Sequence, residues 1–375
     1  MTRHRVLKDP ATGEIFATDY DGAALTIRAG AAGLERETRY SRLPAEAAEA
    51  LATGDELARL RKGFVLVNPA AAPGEPRLHR MIAPNWNGAL VLAALDGQLV
   101  CNLYDRKAGH DTLLVIGRAA ETLDRIDLPP RYRVRQLVGL PDLGRLLIRV
   151  DHQILSLSLS SRQLDELSRS SRRPAGFLAV AGHRAAWYEE PDAVVIDLAS
   201  GQEALRWSIA PRHIAGVTLP MAGTLSHDGT LLALSRRKAQ ITLLDVASGD
   251  IKAVMQTNLC RIGELALMPD GRSVVVCEEG GASRLLCLDL PSRTDRCPWP
   301  DFGEDWTGGT LALHPAGRLL ALASGGSVQL YDLATMKPVL SFQIEHIQKR
   351  CALAWSGTDL GLLTDFGCLS LYATG

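Results

Sequence analysis

Several things are scarce or missing in this 375-residue sequence. Aromatic residues make up 5% of it, lysine is outnumbered by arginine 7 to 34, and no apolar run approaches membrane-span length. A bilayer-spanning helix needs about 20 consecutive apolar residues, so no such segment is expected. The first nine residues carry cations but no signal-peptide core, which predicts a cytoplasmic protein. Charge of one sign is not in excess either: 41 basic against 42 acidic residues remove any global electrostatic reason to coat nucleic acid or an anionic membrane. The cysteines Cys101, Cys260, Cys277, Cys287, Cys297, Cys351 and Cys368 form no CxxC or CxxH spacing, so they read as reduced thiols rather than zinc ligands or disulfides. Cys277, Cys287 and Cys297 lie ten apart, and buried cysteine behaves there as a small apolar residue. The arginine and alanine bias fits a GC-rich bacterial genome and carries no function.

What is present is a repeat. Leu225-Ser226-His227-Asp228-Gly229-Thr230-Leu231 is echoed by Leu267-Met268-Pro269-Asp270-Gly271-Arg272-Ser273 and by Leu313-His314-Pro315-Ala316-Gly317-Arg318-Leu319. The turn glycines Gly229, Gly271 and Gly317 lie 42 and 46 residues apart. Each phrase leads to an aliphatic-Asp-aliphatic or Tyr-Asp-Leu triplet. These are centred on Asp245, Asp289 and Asp332, with Asp197 one unit earlier, at separations of 48, 44 and 43. A period near 42 to 45 containing about four short strands describes one blade of a β-propeller. Weaker units begin near Gly176, Leu137 and Ala89, and residues 82–375 accommodate seven units of 42. The last unit, Cys351 to Tyr372, supplies three strands, and Phe64-Val65-Leu66-Val67 is the simplest source of its fourth. The stretch resembles the WD-repeat and quinoprotein-like propellers, in a divergent form in which only Tyr331-Asp332 approaches the Trp-Asp pair.

Before Phe64 the composition changes. Glu14–Ala17, Ala24–Ala29 and Arg36–Tyr40 read as strands, with Asp21-Gly22 as a hairpin turn. Leu43–Leu51 and Asp55–Lys62 read as two helical pieces parted at Gly54. The order, the polar third strand, the helix start at Leu43-Pro44-Ala45-Glu46-Ala47 and the closing Lys62-Gly63-Phe64 resemble a WGR domain. That family's Trp-Gly-Arg triplet falls on Ala29, Gly30 and Ala31. In the family the Trp and Arg help contact nucleic acid or a neighbouring domain. Here both large side chains are replaced, and residues 1–63 hold ten basic and ten acidic residues, which favours a structural or partner-docking module over DNA binding. The predicted organisation is thus a mainly β chain. It has an α+β WGR-like domain over 1–63 and a seven-bladed propeller over 64–375 closed by strand 64–67.

No nucleophile elbow, phosphate loop, metal helix or paired-acid motif is present, so neither enzymatic activity nor a cofactor or metal is expected. Glu189-Glu190 and Glu278-Glu279 read as solvated turn charge, and His227-Asp228 as part of a turn. Candidate binding residues fall in loops, which a propeller holds rigidly on its faces. Arg131, Arg133, Arg172, Arg173 and Arg212 form a basic sector in consecutive units, Trp299, Phe302 and Trp306 an acidic-aromatic segment, and Trp86 a further aromatic. The expected function is a scaffold docking protein partners on its loop face, within a bacterial multi-protein system and away from membranes. The alternatives are a nucleic-acid-associated regulator or defence component using the WGR-like domain or the arginines, and a hydrolase with acids or histidines converging in the central channel.

Overall fold

The computed structural model describes residues 3–83, 90–105, 109–151, 153–169, 176–189, 191–209, 213–214, 217–218, 221–236, 240–278, 284–295 and 310–375. Over these residues the chain is a propeller of antiparallel meanders with one α-helix near its start. Four-stranded sheets occupy residues 92–127, 134–169, 178–208, 223–256, 262–295 and 310–343. Their first strands stand side by side around a ring. Cys351–Ser356 follows the last of them and returns to Leu92–Leu95.

The expected count of seven like blades is corrected. Among the described residues six blades are self-contained four-stranded sheets, and the sector that closes the ring is one end of a nine-stranded sheet. That sheet runs from Cys351–Ser356 through Asp359–Thr364 and Cys368–Tyr372 to β6 (Pro76–Met81) and β5 (Val65–Val67). It continues through β1 (Arg3–Lys8), β2 (Glu14–Tyr20) and β3 (Ala24–Ala31) to β4 (Arg36–Ser41).

The closing strand is also corrected. It is β6 that pairs with Cys368–Tyr372, from Cys368↔Met81 to Leu371↔Leu78, while β5 lies one place farther out between β6 and β1. The sequence Pro-Arg-Leu-His-Arg-Met disguises β6 because its polar side chains all have partners. Arg77 bonds Asp359 at 3.1 Å and the Pro69 carbonyl at 2.6 Å, and Arg80 bonds the Ala120 carbonyl. His79 and Leu78 are each 1% exposed. Pro76 sits at the first position of the strand, where proline is tolerated.

Hydrophobic burial lies mainly between blades. One cluster joins Leu95, Val100 and Val115 to Leu137, Leu146 and Ile148 of the next blade, and Trp187 packs with Leu147 and Ile154 across the following gap. The runs Leu232–Leu234 and Val274–Val276 are buried on both faces, which accounts for their continuous apolarity. Cys277 and Cys287 belong to such a cluster, and none of the described cysteines is in a disulfide.

The repeated aspartates terminate third strands. Asp197 accepts the backbone N–H groups of Ala199 and Ser200 at 3.0 and 2.9 Å, and Asp245 those of Ala247 and Ser248 at 3.0 Å. Asp289 accepts from Ser292 at 3.1 Å and Asp332 from Thr335 at 2.8 Å. These backbone bonds hold all four carboxyls below their ordinary range.

The turn glycines answer a second need. Gly271 and Gly317 have φ of 65° and 66°, and a Cβ there would meet Leu231 Cδ1 at 3.3 Å and Pro269 Cγ at 3.1 Å on the preceding blade. Gly271→Val and Gly317→Val should each cost about 1–3 kcal/mol in urea unfolding, from left-handed backbone plus crowding. Gly54→Ala should have the opposite sign, gaining about 0.5–1 kcal/mol, because Gly54 is exposed in a helix with open space at its Cβ. Equal effects at the three positions would refute this account.

The N-terminal strands form an antiparallel meander, with Asp21 accepting the Ala23 and Ala24 N–H groups at 2.8 Å in the β2–β3 turn. The two predicted helical pieces are one helix, α1 (Ala45–Leu60). Its buried residues Ala48, Ala52, Glu56 and Leu60 recur every fourth position, so Gly54 falls on the solvent side and the packed stripe carries the helix through it. Helix α1 covers β1, β2 and β3. Its core of Leu7, Phe16, Leu25, Ile27 and Phe64 includes Cys368 from the far end of the chain, so the module and the ring share one core.

Candidate functional site

A group of buried and half-buried ionisable side chains lies where the N-terminal module meets the ring closure. β1 carries Arg5, α1 carries Glu56, β6 carries His79, strand Cys368–Tyr372 carries Ser370 and Tyr372, and Glu345 follows Lys337–Gln343. Strand alternation turns Arg5 and Leu7 to one face of β1, so a cation and a core residue enter the junction together.

Arg5 grips Glu345 with both Nη atoms, Nη2 donating to Oε1 at 2.5 Å, and Nη1 also donates to Glu56 Oε2 at 3.1 Å. Thr18 Oγ1 donates to the other Glu56 oxygen at 3.3 Å. His79 Nε2 lies 3.2 Å from Glu345 Oε2, and its Nδ1 lies 2.7 Å from Ser370 Oγ. The Glu345 backbone N–H donates to the Tyr372 hydroxyl at 3.1 Å, and the Tyr372 ring stacks on Phe342 at 4.7 Å.

Burial favours neutral His79, but the Cys368 sulfur and the Glu345 carboxylate outweigh it and lift the imidazole to about 9. Burial likewise opposes charge on Glu345, and His79 with Arg5 overcomes it, holding the carboxyl well below its ordinary range. Tyr372 is pushed well above its ordinary range by burial and then by Glu345. The Glu345 carboxylate thus meets a guanidinium and an imidazolium, the kind of pairing that buried charge requires.

Ser370, His79 and Glu345 are connected as a nucleophile, base and orienting acid would be. Ser370 is 0% exposed on a strand paired on both sides, so its hydroxyl meets no substrate. His79, Glu345 and His346 also bring one donor atom each within 4.8 Å of one another, a set whose chemistry would suit zinc. Arg5 already engages both Glu345 oxygens, and the two His79 ring nitrogens lie against Glu345 and Ser370, so these ligand atoms are in use within the cluster. The cluster is built to join two parts of the chain.

Of the predicted loop residues, Arg131 and Arg133 are described, both exposed at the start of the 134–169 blade. Arg133 donates to the Tyr104 hydroxyl at 2.7 Å and lies over its ring at 4.8 Å, linking two adjacent blades. The neighbouring Arg169 is paired with Glu166 at 2.5 and 2.8 Å. Arg172, Arg173, Arg212, Trp86, Trp299, Phe302 and Trp306 lie outside the described residues. Asp228 accepts from Ser226 and Thr230 within its own turn. Glu278, expected to be solvated, is 2% exposed and accepts from Cys260 N–H at 2.6 Å and Arg284 at 3.0 Å.

The junction residues are missed by sequence reasoning because they form no local motif: Arg5 and Glu345 are 340 positions apart. The one available signal is the apolar pair Val6-Leu7 set between Arg5 and Lys8 in a short N-terminal segment.

No protein-family model matches the sequence, and no curated protein matches it. Among solved structures, a chain of the crystal structure of the mitotic checkpoint complex is similar, with a TM-score of 0.61 at 11% identity. The match covers 82% of this chain and 94% of that one. At such identity the likeness is one of fold, and it shows a WD-repeat-like β-propeller.

Proposed function

We propose that the protein is a non-enzymatic interaction scaffold, docking protein partners on the loop face of its ring. The observation that carries this reading is the junction. A continuous sheet and a buried ion cluster fix the N-terminal module to the ring, so surfaces on both are held in one geometry. Propellers of the WD-repeat kind commonly serve as such platforms, and the most enzyme-like residues here are occluded and engaged in holding the fold together. The N-terminal meander and helix fit a WGR-like module whose triplet has become Ala29, Gly30 and Ala31, leaving it a docking rather than a DNA-reading role.

The test is affinity purification of the full chain from its native cell, with and without nuclease, beside Arg131→Glu/Arg133→Glu. Partners retained through nuclease treatment and depleted about tenfold by the double charge reversal support the reading. Loss of all partners on nuclease treatment, together with binding to DNA that falls steeply with salt, would transfer the function to nucleic acid.

A further inference from the structure

The outer end of the nine-stranded sheet is β4, Arg36-Glu37-Thr38-Arg39-Tyr40-Ser41. It pairs with β3 on one side, and all six of its residues are exposed. Its pairing is regular from Ala29↔Arg36 to Ala24↔Ser41, without a bulge or proline. Helix α1 packs on β1, β2 and β3. Such an edge presents unpaired backbone N–H and C=O groups to any extended chain that fits it.

Charge identifies what fits. On the face away from the helix, Asp19 of β2 is paired with Arg28 of β3 at 2.6 Å and with His4 of β1, and Arg28 stands opposite Glu37 of β4. The row therefore alternates in sign and ends on a carboxylate at the open edge. The residue needed to extend it is a cation, and β4 itself carries one two positions on, Arg39.

We infer that β4 pairs antiparallel with β4 of a second copy, about a two-fold axis through Thr38. In this register Glu37 faces Arg39 of the second copy, Arg39 faces its Glu37, Arg36 faces its Tyr40, and Thr38 faces Thr38. The alternation of sign from Asp19 through Arg28 and Glu37 then gains Arg39 of the second copy, and each Arg36 on the helix side meets an aromatic ring. Sliding the pairing by two residues, the smallest step that keeps each side chain on its own face, sets Glu37 opposite Glu37 or Arg39 opposite Arg39, like against like, so the pattern selects both the partner and the register. A closed two-fold contact of this kind is self-complementary by construction. This inference goes beyond the scaffold reading and does not depend on it.

The experiment is analytical ultracentrifugation of the full chain over a wide concentration range, with circular dichroism to check that each variant is folded. The expected result is a monomer–dimer equilibrium. Glu37→Arg should weaken it by about tenfold or more, since two opposite-charge pairs become like-charge pairs. Glu37→Arg/Arg39→Glu restores opposite charges across the axis and should restore dimerisation. Thr38→Cys should give a disulfide-linked dimer on oxidation. A wild-type chain that stays monomeric at every concentration overturns the proposal. So does a dimer that ignores Glu37→Arg, or one that the double variant fails to rescue.

Discussion

Replacing Arg5 by methionine is expected to destabilise the folded protein by about 3–5 kcal/mol, the loss typical when one member of a buried charge pair is removed. Methionine keeps much of the aliphatic bulk but takes away the guanidinium that grips Glu345 and reaches Glu56, whose side chain is 1% exposed. Two carboxylates would then share the junction with His79 as their only cation among these residues. Urea unfolding should show the loss directly, and the same loss should persist at high salt, because a buried pair is screened far less than an exposed one. Arg5→Lys should recover only part of it, since an ammonium cannot donate in parallel to both Glu345 oxygens. A methionine variant within about 1 kcal/mol of wild type would mean that the junction is held by its apolar core alone.

The second large effect concerns pH. His79 titrates near 9 in the folded chain against an ordinary 6.5, so its contribution is complete below about 6.5 and is lost as pH rises through 9. Glu345 works in the other direction: its depressed carboxyl contributes fully above its ordinary value of 4.5 and the contribution fades as pH falls through the depressed value. Stability should therefore be greatest between roughly pH 4.5 and 6.5 as far as this cluster decides it, and decline by on the order of 3 kcal/mol toward pH 9. His79→Gln, measured by thermal or urea unfolding across that range, should flatten the alkaline limb. The acid limb should survive the substitution, because Asp197, Asp245, Asp289 and Asp332 also carry depressed carboxyls. An alkaline limb of equal steepness in the variant would assign it to another group.

The ring was legible because each blade repeats the same local chemistry. A glycine at positive φ, a doubly buried aliphatic strand and an aspartate folded over its own turn are all decided within ten residues of sequence, and Gly271, Val274–Val276 and Asp289 behave as the repeat implies. What escaped is what depends on distant partners. Sequence points to apolar Phe64–Val67 as the closing strand rather than to Pro76–Met81, because Arg77, His79 and Arg80 look solvent-seeking until Asp359, Glu345 and the Ala120 carbonyl are placed beside them. β1 was overlooked for the same reason, its arginine being buried only by virtue of a glutamate far along the chain. Gly54 suggests a break that the fold does not make, since a glycine on the solvent side of a helix weakens it without ending it. The junction, assembled from residues far apart in the chain, leaves no such local trace.

Ring closure through β6 sets an order of events during synthesis. His79 is made early, and Ser370, its partner across the closing pair, follows 291 residues later. At bacterial or eukaryotic elongation rates the ribosome needs about 15–60 s to cover that interval. Throughout it, β6 has no neighbour on its ring side and the N-terminal core lacks the sulfur that completes it. The nascent chain carries an open strand for that time, and the pairing that closes the ring spans most of the sequence, which makes this protein a poor candidate for rapid refolding after full denaturation.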